Sequence, residues 1–511
     1  MANTLSKWRA SFSCLVVVSL MLVLPVSCTR ELTDCGGPPV DLQKISAIKK
    51  TLFSAGPRAA LVVPNPIDTR EATKVYTLAD LSDPESLESS FIKIRLHSLQ
   101  DDRSVLAHPN SAGEYSFSIS DPHYSEVMGY YSVTAIMKYV EAIGFPTVKT
   151  RPLYVVVRDQ EKEGSQVVNA TYAHNYLSPS LPRVLRLYGD TAFAPGIDRD
   201  MYWHEFGHLN NESVSREIGF DFATEMGAVY TEGSALHECL ADAIMQSLGD
   251  KSFIGKWIAR NLQGFAVGAP LRSAVDTAQS VLDFPSVAQN DGRGAKPERY
   301  EVAEWCTRVL WDIRAQFVKE DEKGGAVFYD RLFLTALSLT SKDTSFREFY
   351  GSMLKADEEL YCGFHQRSIR NAFEQRGFKE SPPTLSQPLT LQARAVGVQA
   401  TQSGEQTATV TPGMELAFVF VLSNPNSEVA RNVRLILESR SSTLHPTLYM
   451  QGFGDLRPGQ SISVGDTGFG LDYSVRGEVD RDTSRGRAIR YRLRVLTDNG
   501  PETIRDGEIN L

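Results

Sequence analysis

The chain has 511 residues, 42% of them hydrophobic, 9% aromatic and 23% charged. That balance excludes a disordered, collagen-like or multi-span membrane chain, and at roughly 150 residues per domain it predicts two to four domains, each with its own core. The 53 basic and 62 acidic residues leave a net charge of −9, which gives no electrostatic reason to expect nucleic acid as the main partner.

Six cysteines stand at positions 14, 28, 35, 239, 306 and 362, too few and too scattered for a disulfide framework. There is no CxxC pair, so a cysteine zinc ribbon is excluded. Residues 1–28 read as a signal peptide. Lys7 and Arg9 precede an apolar run from Leu15 to Val26, broken only by Ser19 and Pro25. The run is shorter than the roughly 20 residues needed to cross a bilayer. Its end, Leu24-Pro25-Val26-Ser27-Cys28, resembles a bacterial lipobox, with Pro25 where the usual leucine would stand. The resemblance implies lipidation of Cys28 and an exported, envelope-bound protein that meets the membrane through its anchor. Plain secretion is the alternative. No later segment reaches the roughly 18 unbroken apolar residues of a membrane helix. Residues 29–57, interrupted by Gly36-Gly37-Pro38-Pro39, read as a tether.

Residues 58–200 predict an α+β region. Ala59 to Val63 and Pro152 to Val157 are Val-rich and strand-like. Between them, Val127, Met128, Tyr131, Val133, Ile136, Met137, Val140 and Ile143 suit a buried helix that Gly144 and Pro146 close. Residues 201–380 turn helical. Val302, Trp305, Cys306, Val309, Leu310, Ile313 and Phe317 recur every three or four residues, and Phe328 to Leu339, Phe346 to Leu360 and Ile369 to Phe373 continue the series. Cys239, Cys306 and Cys362 fall on these helices and read as buried thiols. Residues 388–511 switch to a period of two, clearest where Ile489, Tyr491, Leu493 and Val495 alternate with Arg490, Arg492 and Arg494. Strands at Glu415 to Leu422 and Asn432 to Leu437, with turns at Pro412-Gly413, Pro425-Asn426 and Pro458-Gly459, predict a β-sandwich.

The chemistry concentrates in His204-Glu205-Phe206-Gly207-His208. Asp198 can cap a helix carrying it. On that helix His204 and His208 lie at i and i+4, one turn apart on one face, where two imidazoles can share one Zn²⁺. Glu205 sits at the neighbouring edge, where a carboxylate can take a proton from water. A third ligand is required. A histidine six residues after His208 would supply it in one class of such sites, but that position is Val214. The block Gly233-Ser234-Ala235-Leu236-His237-Glu238-Cys239-Leu240-Ala241-Asp242 offers a carboxylate instead. Glu238 and Asp242 share a face beside an apolar stripe, a costly arrangement unless a cation meets them. Glu238 can ligate the metal and Asp242 can accept the outer N–H of a ligand imidazole. His237 lies about 100° further around the helix and reads as structural. His365 reads as a surface residue. A solvated helix face is the plain alternative for the two acids.

These motifs resemble, in chain order, the gluzincin zinc metallopeptidases, the thermolysin and fungalysin families, over residues 58–380. Asn169-Ala170-Thr171-Tyr172 is similar to the family's edge strand, which implies that Asn169 and Ala170 hold a substrate backbone by β-augmentation. The resemblance implies a two-lobed fold, a catalytic Zn²⁺ on His204, His208 and Glu238, catalysis by Glu205, and peptide or protein substrates. Tyr230 is similar to the family's second oxyanion donor, whereas Tyr300 departs from the family by standing where it carries a histidine donor, a role a phenol can also fill; each tyrosine also suits a core position. Residues 388–511 loosely resemble bacterial Ig-like adhesion modules, with partner unknown. The reading is a cell-surface zinc endopeptidase. An inactive zinc-binding surface lipoprotein or adhesin and an aminopeptidase are the alternatives.

Overall fold

The computed structural model describes residues 41–43, 45–46, 58–62, 74–99, 106–145, 151–159, 170–173, 183–189, 196, 198–215, 232–259, 269–275, 299–340, 344–378, 383–398, 406–407, 409–448, 450–465, 474–484 and 486–511. The signal peptide, Cys28, Asn169 and Tyr230 lie outside these residues, as does most of the tether. Within the tether span, Ile45 is buried and joins the main apolar core.

Arg58–Val62 (β1) and Lys74–Thr77 (β2) form an antiparallel pair. Ile92–Arg95 (β3), Leu153–Asp159 (β4), Ala170–Ala173 (β5) and Arg183–Tyr188 (β6) form a mixed sheet in the order β3-β4-β6-β5. The first three neighbours run parallel, and β5 closes the sheet as an antiparallel edge. The expected buried helix is Pro122–Ala142 (α1), which connects β3 to β4 and is capped by the Asp121 side chain. Close contact explains its Gly129: a Cβ there would stand 3.2 Å from the Tyr202 ring and 3.3 Å from Val155.

The helical region follows. Arg199–Ser215 (α2) carries the two histidines, and Glu232–Gly249 (α3) carries Glu238 and Asp242. A short antiparallel pair, Phe253–Ile254 (β7) and Arg272–Ser273 (β8), flanks the one-turn helix Lys256–Ala259 (α4). Arg299–Glu320 (α5), Gly325–Ser338 (α6), Phe346–Tyr361 (α7) and Gln366–Gln375 (α8) complete eight helices among the described residues. Asp198 caps α2 as its sequence predicts, accepting the Asp200 N–H at 3.1 Å. Ser345 and Glu348 close a reciprocal capping box on α7. One apolar cluster runs through all of this, from Ile45 to Phe378.

Beyond it the strands Thr390–Val398 (β9), Gln406–Thr407 (β10), Glu415–Ser423 (β11), Ala430–Ser439 (β12), Leu444–Leu448 (β13), Met450–Leu456 (β14), Ser461–Val464 (β15), Arg476–Val479 (β16), Ala488–Leu496 (β17) and Thr503–Asn510 (β18) form two antiparallel sheets. The orders are β10-β9-β11-β16-β13, with β15 also on β11, and β14-β12-β17-β18. Their inward residues share a second apolar cluster, from Leu385 to Val495. The expected alternation on β17 holds: Ile489, Tyr491, Leu493 and Val495 are buried, while Arg490, Arg492 and Arg494 pair with Glu508, Asp506 and Glu502 on β18 or just before it. The protein is thus a mixed, α+β chain with several antiparallel sheets.

Two expectations are corrected. Cys239 and Cys306 are a disulfide that joins α3 to α5, with Cα atoms 5.8 Å apart, and Cys362 is disulfide-bonded as well. Helical spacing placed both thiols on buried faces but gave no sign that the two faces meet. His365 is buried, not on the surface. It precedes α8, stacks on Phe317 at 3.9 Å and faces the buried Asp357 through Nδ1 at 2.8 Å.

The Cys239–Cys306 bond closes a 67-residue separation, for which a crosslink stabilises by about 2–4 kcal/mol. A Cys239→Ala/Cys306→Ala double substitution will lower the urea unfolding free energy by that amount. An unchanged midpoint would show that the bond does not constrain the chain.

Candidate metal centre

The site depends on how closely α2 and α3 approach. Gly207 lies against α3, where an added Cβ would stand 2.7 Å from the Ala241 Cα. Only glycine lets the two backbones come this near without displacement. Asn211, one turn further along α2, donates its side-chain N–H to the His237 carbonyl of α3 at 3.1 Å. From the other side, Tyr202 donates its hydroxyl to the carbonyls of Ser125 and Gly196, both at 2.9 Å, and Trp203 donates to Ser132. These contacts fix α2 between α1 and α3.

Held this way, His204, His208 and Glu238 converge. Their donor atoms form a triangle: 3.2 Å between the two Nε2 atoms, 3.3 Å from His204 Nε2 to Glu238 Oε2, and 3.7 Å from His208 Nε2 to the same oxygen. Tetrahedral ligands about 2.0–2.1 Å from one ion lie about 3.3 Å apart, so the triangle has the size of one small cation's coordination face. All three residues are buried, and they form a group able to hold a metal ion.

Charge favours the same conclusion. Asp242, fully buried, faces His204 Nδ1 at 2.7 Å. It also accepts two bonds from the Arg272 guanidinium, both at 2.6 Å. Burial opposes its charge, but Arg272 and His204 hold its pKa below the usual carboxylate value. For His204, burial acts to lower the pKa, and the carboxylates of Asp242 and Glu238 override it, raising it to about 10. The same carboxylates would favour a cation at this ring. Glu205 is buried beside the triangle. Desolvation pushes its pKa up to about 7, against the pull of His204 and of a hydrogen bond from the Tyr172 backbone N–H. Glu205, Glu238 and Asp242 are thus three carboxylates gathered around one guanidinium. A divalent cation held by the triangle would offset the excess, which burial makes costly.

The edge strand β5 is stitched onto α2 at both ends of one residue. The Tyr172 N–H meets Glu205, and the Tyr172 hydroxyl donates to Glu212, which also faces Arg183 at 3.6 Å. Ala170, half-buried, begins this strand. Tyr300, half-buried at the start of α5, lies against Arg272, whose guanidinium carbon is 5.4 Å from the ring centroid. The structure therefore brings together His204, Glu205, His208, Glu238 and Asp242, and joins Tyr300 to them through Arg272. Sequence reasoning missed Arg272, which lies 30 residues after Asp242 and carries no local motif. It also missed that His237 stacks flat on His208, centroids 4.4 Å apart and planes 7° from parallel. Helical spacing gives a residue's direction on its own helix, not what the neighbouring helix puts there.

The fold and donor set place, in an α+β protein, a buried group of two histidines and a glutamate that could hold a metal ion. No protein-family model matches the sequence, and no curated protein matches it.

Two substitutions check this geometry. Asp242→Asn removes the carboxylate that orients His204 and will weaken metal binding about 10–100-fold in a chelator competition. Gly207→Ala will destabilise the metal-free chain by about 1–3 kcal/mol through overpacking against Ala241, read by urea unfolding. Retention of wild-type affinity and stability would contradict both roles.

Proposed function

We propose that the chain is a zinc-dependent endopeptidase of the gluzincin type, acting on peptide or protein substrates outside the cytoplasm. The carrying observation is the buried convergence of His204, His208 and Glu238 with the carboxylate of Glu205 beside them. Two imidazoles and one carboxylate are a donor set suited to Zn²⁺ with a position left open for chemistry. When bound there, the ion supplies Lewis acidity toward the scissile carbonyl and toward water.

In this reading Glu205 takes the proton of the attacking water and delivers it to the leaving amine. Burial readies it for that exchange, since a base works best with a pKa near the working pH. Asp242 and Arg272 hold His204 in place. β5, the last strand of its sheet among the described residues, is the proposed strand against which an extended substrate lies, and the Tyr172 link keeps it against Glu205. Tyr300, with Tyr230, is the proposed donor to the developing oxyanion. The two-lobed architecture for residues 58–380, the Ig-like assignment for 388–511 and the lipid anchor at Cys28 belong to the same proposal. Export is supported by the disulfides, which persist in oxidising compartments. No helix among the described residues is long and apolar enough to cross a membrane.

One observation favours a second reading. The Tyr300 ring lies against Arg272, so this residue has a packing role that needs no catalysis. A non-catalytic zinc-binding surface protein would keep the same contact.

Glu205→Gln separates the two readings. The endopeptidase reading predicts that it cuts cleavage of casein and of N-blocked peptides at least about 100-fold while bound zinc is unchanged. The acid limb of the wild-type kcat/KM profile will fall below pH 7, because Glu205 acts only when deprotonated and a nearby cation lowers its pKa from about 7. Bound zinc with no wild-type cleavage across a broad peptide library would establish the non-catalytic reading.

A further inference from the structure

The two proposed imidazole ligands meet different neighbours among the described contacts. His204 is fixed in its plane by a carboxylate: Asp242 meets Nδ1 at 2.7 Å, and Arg272 stands 3.4 Å from the same nitrogen. His208 meets His204 edge-on, at 4.7 Å between centroids and 82° between planes. That contact touches one edge of its ring. The broad face of His208 is covered by His237, parallel to within 7° at 4.4 Å.

We propose that His237 is a positioning residue: its ring fixes the plane of His208 by stacking and so keeps Nε2 aimed at the metal. The inference rests on the metal-centre reading. Three observations carry it. The His237 side chain is not among the convergent donor atoms, which come from His204, His208 and Glu238. It therefore acts through another residue. Its backbone is anchored from the ligand helix itself, since Asn211 donates to the His237 carbonyl at 3.1 Å, three residues after His208. His237 also directly precedes Glu238, so one short stretch of α3 supplies a ligand from one residue and a supporting ring for another ligand from the residue before it.

The physical requirement is general. A ligand imidazole can rotate about its Cβ–Cγ bond, and rotation swings Nε2 off the site. A partner on Nδ1 stops this in most metal sites. A flat ring packed on the face also restrains it, because rotation would drive one ring edge into the partner. Such stacking needs a planar side chain and not a particular nitrogen. The role therefore predicts a specific order among substitutions: Ala and Leu fail, and Phe succeeds.

The test uses the full chain with Zn²⁺ and Co²⁺ as probes. Zinc affinity is read by competition with a chromogenic chelator, and ligand geometry by the visible absorption of the Co²⁺ form. His237→Ala and His237→Leu are expected to lose about 10–100-fold in zinc affinity, as other losses of ligand support do, and to alter the Co²⁺ bands. His237→Phe is expected to restore most of the affinity and the wild-type bands. Thermal unfolding of each metal-free variant identifies any general loss of folding, which would lower stability without the Ala-versus-Phe order in metal binding. Wild-type affinity in His237→Ala would overturn the inference, as would a His237→Phe variant as weak as His237→Ala. A wild-type chain that binds neither ion would overturn the metal-centre reading itself, and the two failures are distinguishable in the same titration.

Discussion

Everything at the site depends on the distance between two helices. Where α2 passes α3, a hydrogen atom at Gly207 is all that separates one backbone from the other. At the wider spacing that side chains normally impose, the imidazoles of α2 would not reach the carboxylate of α3. Glycine is a poor helix former in isolation, costing about 1 kcal/mol relative to alanine. Here that local cost is offset by a crossing that lets three buried donors meet. The disulfide from α3 to α5 and the hydroxyl and indole bonds from α2 to α1 hold the crossing from the sides.

Burial of charge is the second constraint, and it follows from the first. Drawing the helices together takes Glu205, Glu238 and Asp242 out of water at once. Arg272 balances one of them through a two-pronged bond to Asp242. The others are left to the histidines and to a cation that the triangle could hold. The perturbed groups of the region express one imbalance: without a metal, the carboxylates of Asp242 and Glu238 raise the pKa of His204, and desolvation raises that of Glu205. A structure with no use for a cation would more economically place apolar side chains here.

Much of this was legible in the sequence. Spacing put His204 and His208 on one face of a helix, and the acidic pair on the next, because i and i+4 periodicity is a property of a single helix. The Asp198 cap, α1, the helical series from 299 to 375 and the alternating strand at 489–495 follow from the same local rules. What stayed hidden is tertiary. Arg272 comes from a two-residue strand with no pattern of its own. His237 points away from Glu238, as its 100° offset requires, yet its ring lies on His208 of the neighbouring helix. Cys239 and Cys306 each read as a buried thiol, since nothing in either helix states that the other lies opposite. His365 read as exposed because its partners, Asp357 and Phe317, come from two other helices or their ends.

The central claim is that His204, His208 and Glu238 bind one zinc ion. X-ray absorption at the zinc edge, on the full chain loaded with one equivalent, tests it most directly. The account predicts a first shell of nitrogen and oxygen alone at about 2.0–2.1 Å, with the outer-shell signature of two imidazoles, lost together with the bound ion in Glu238→Ala. Sulfur near 2.3 Å, or an unaltered shell in Glu238→Ala, would contradict it.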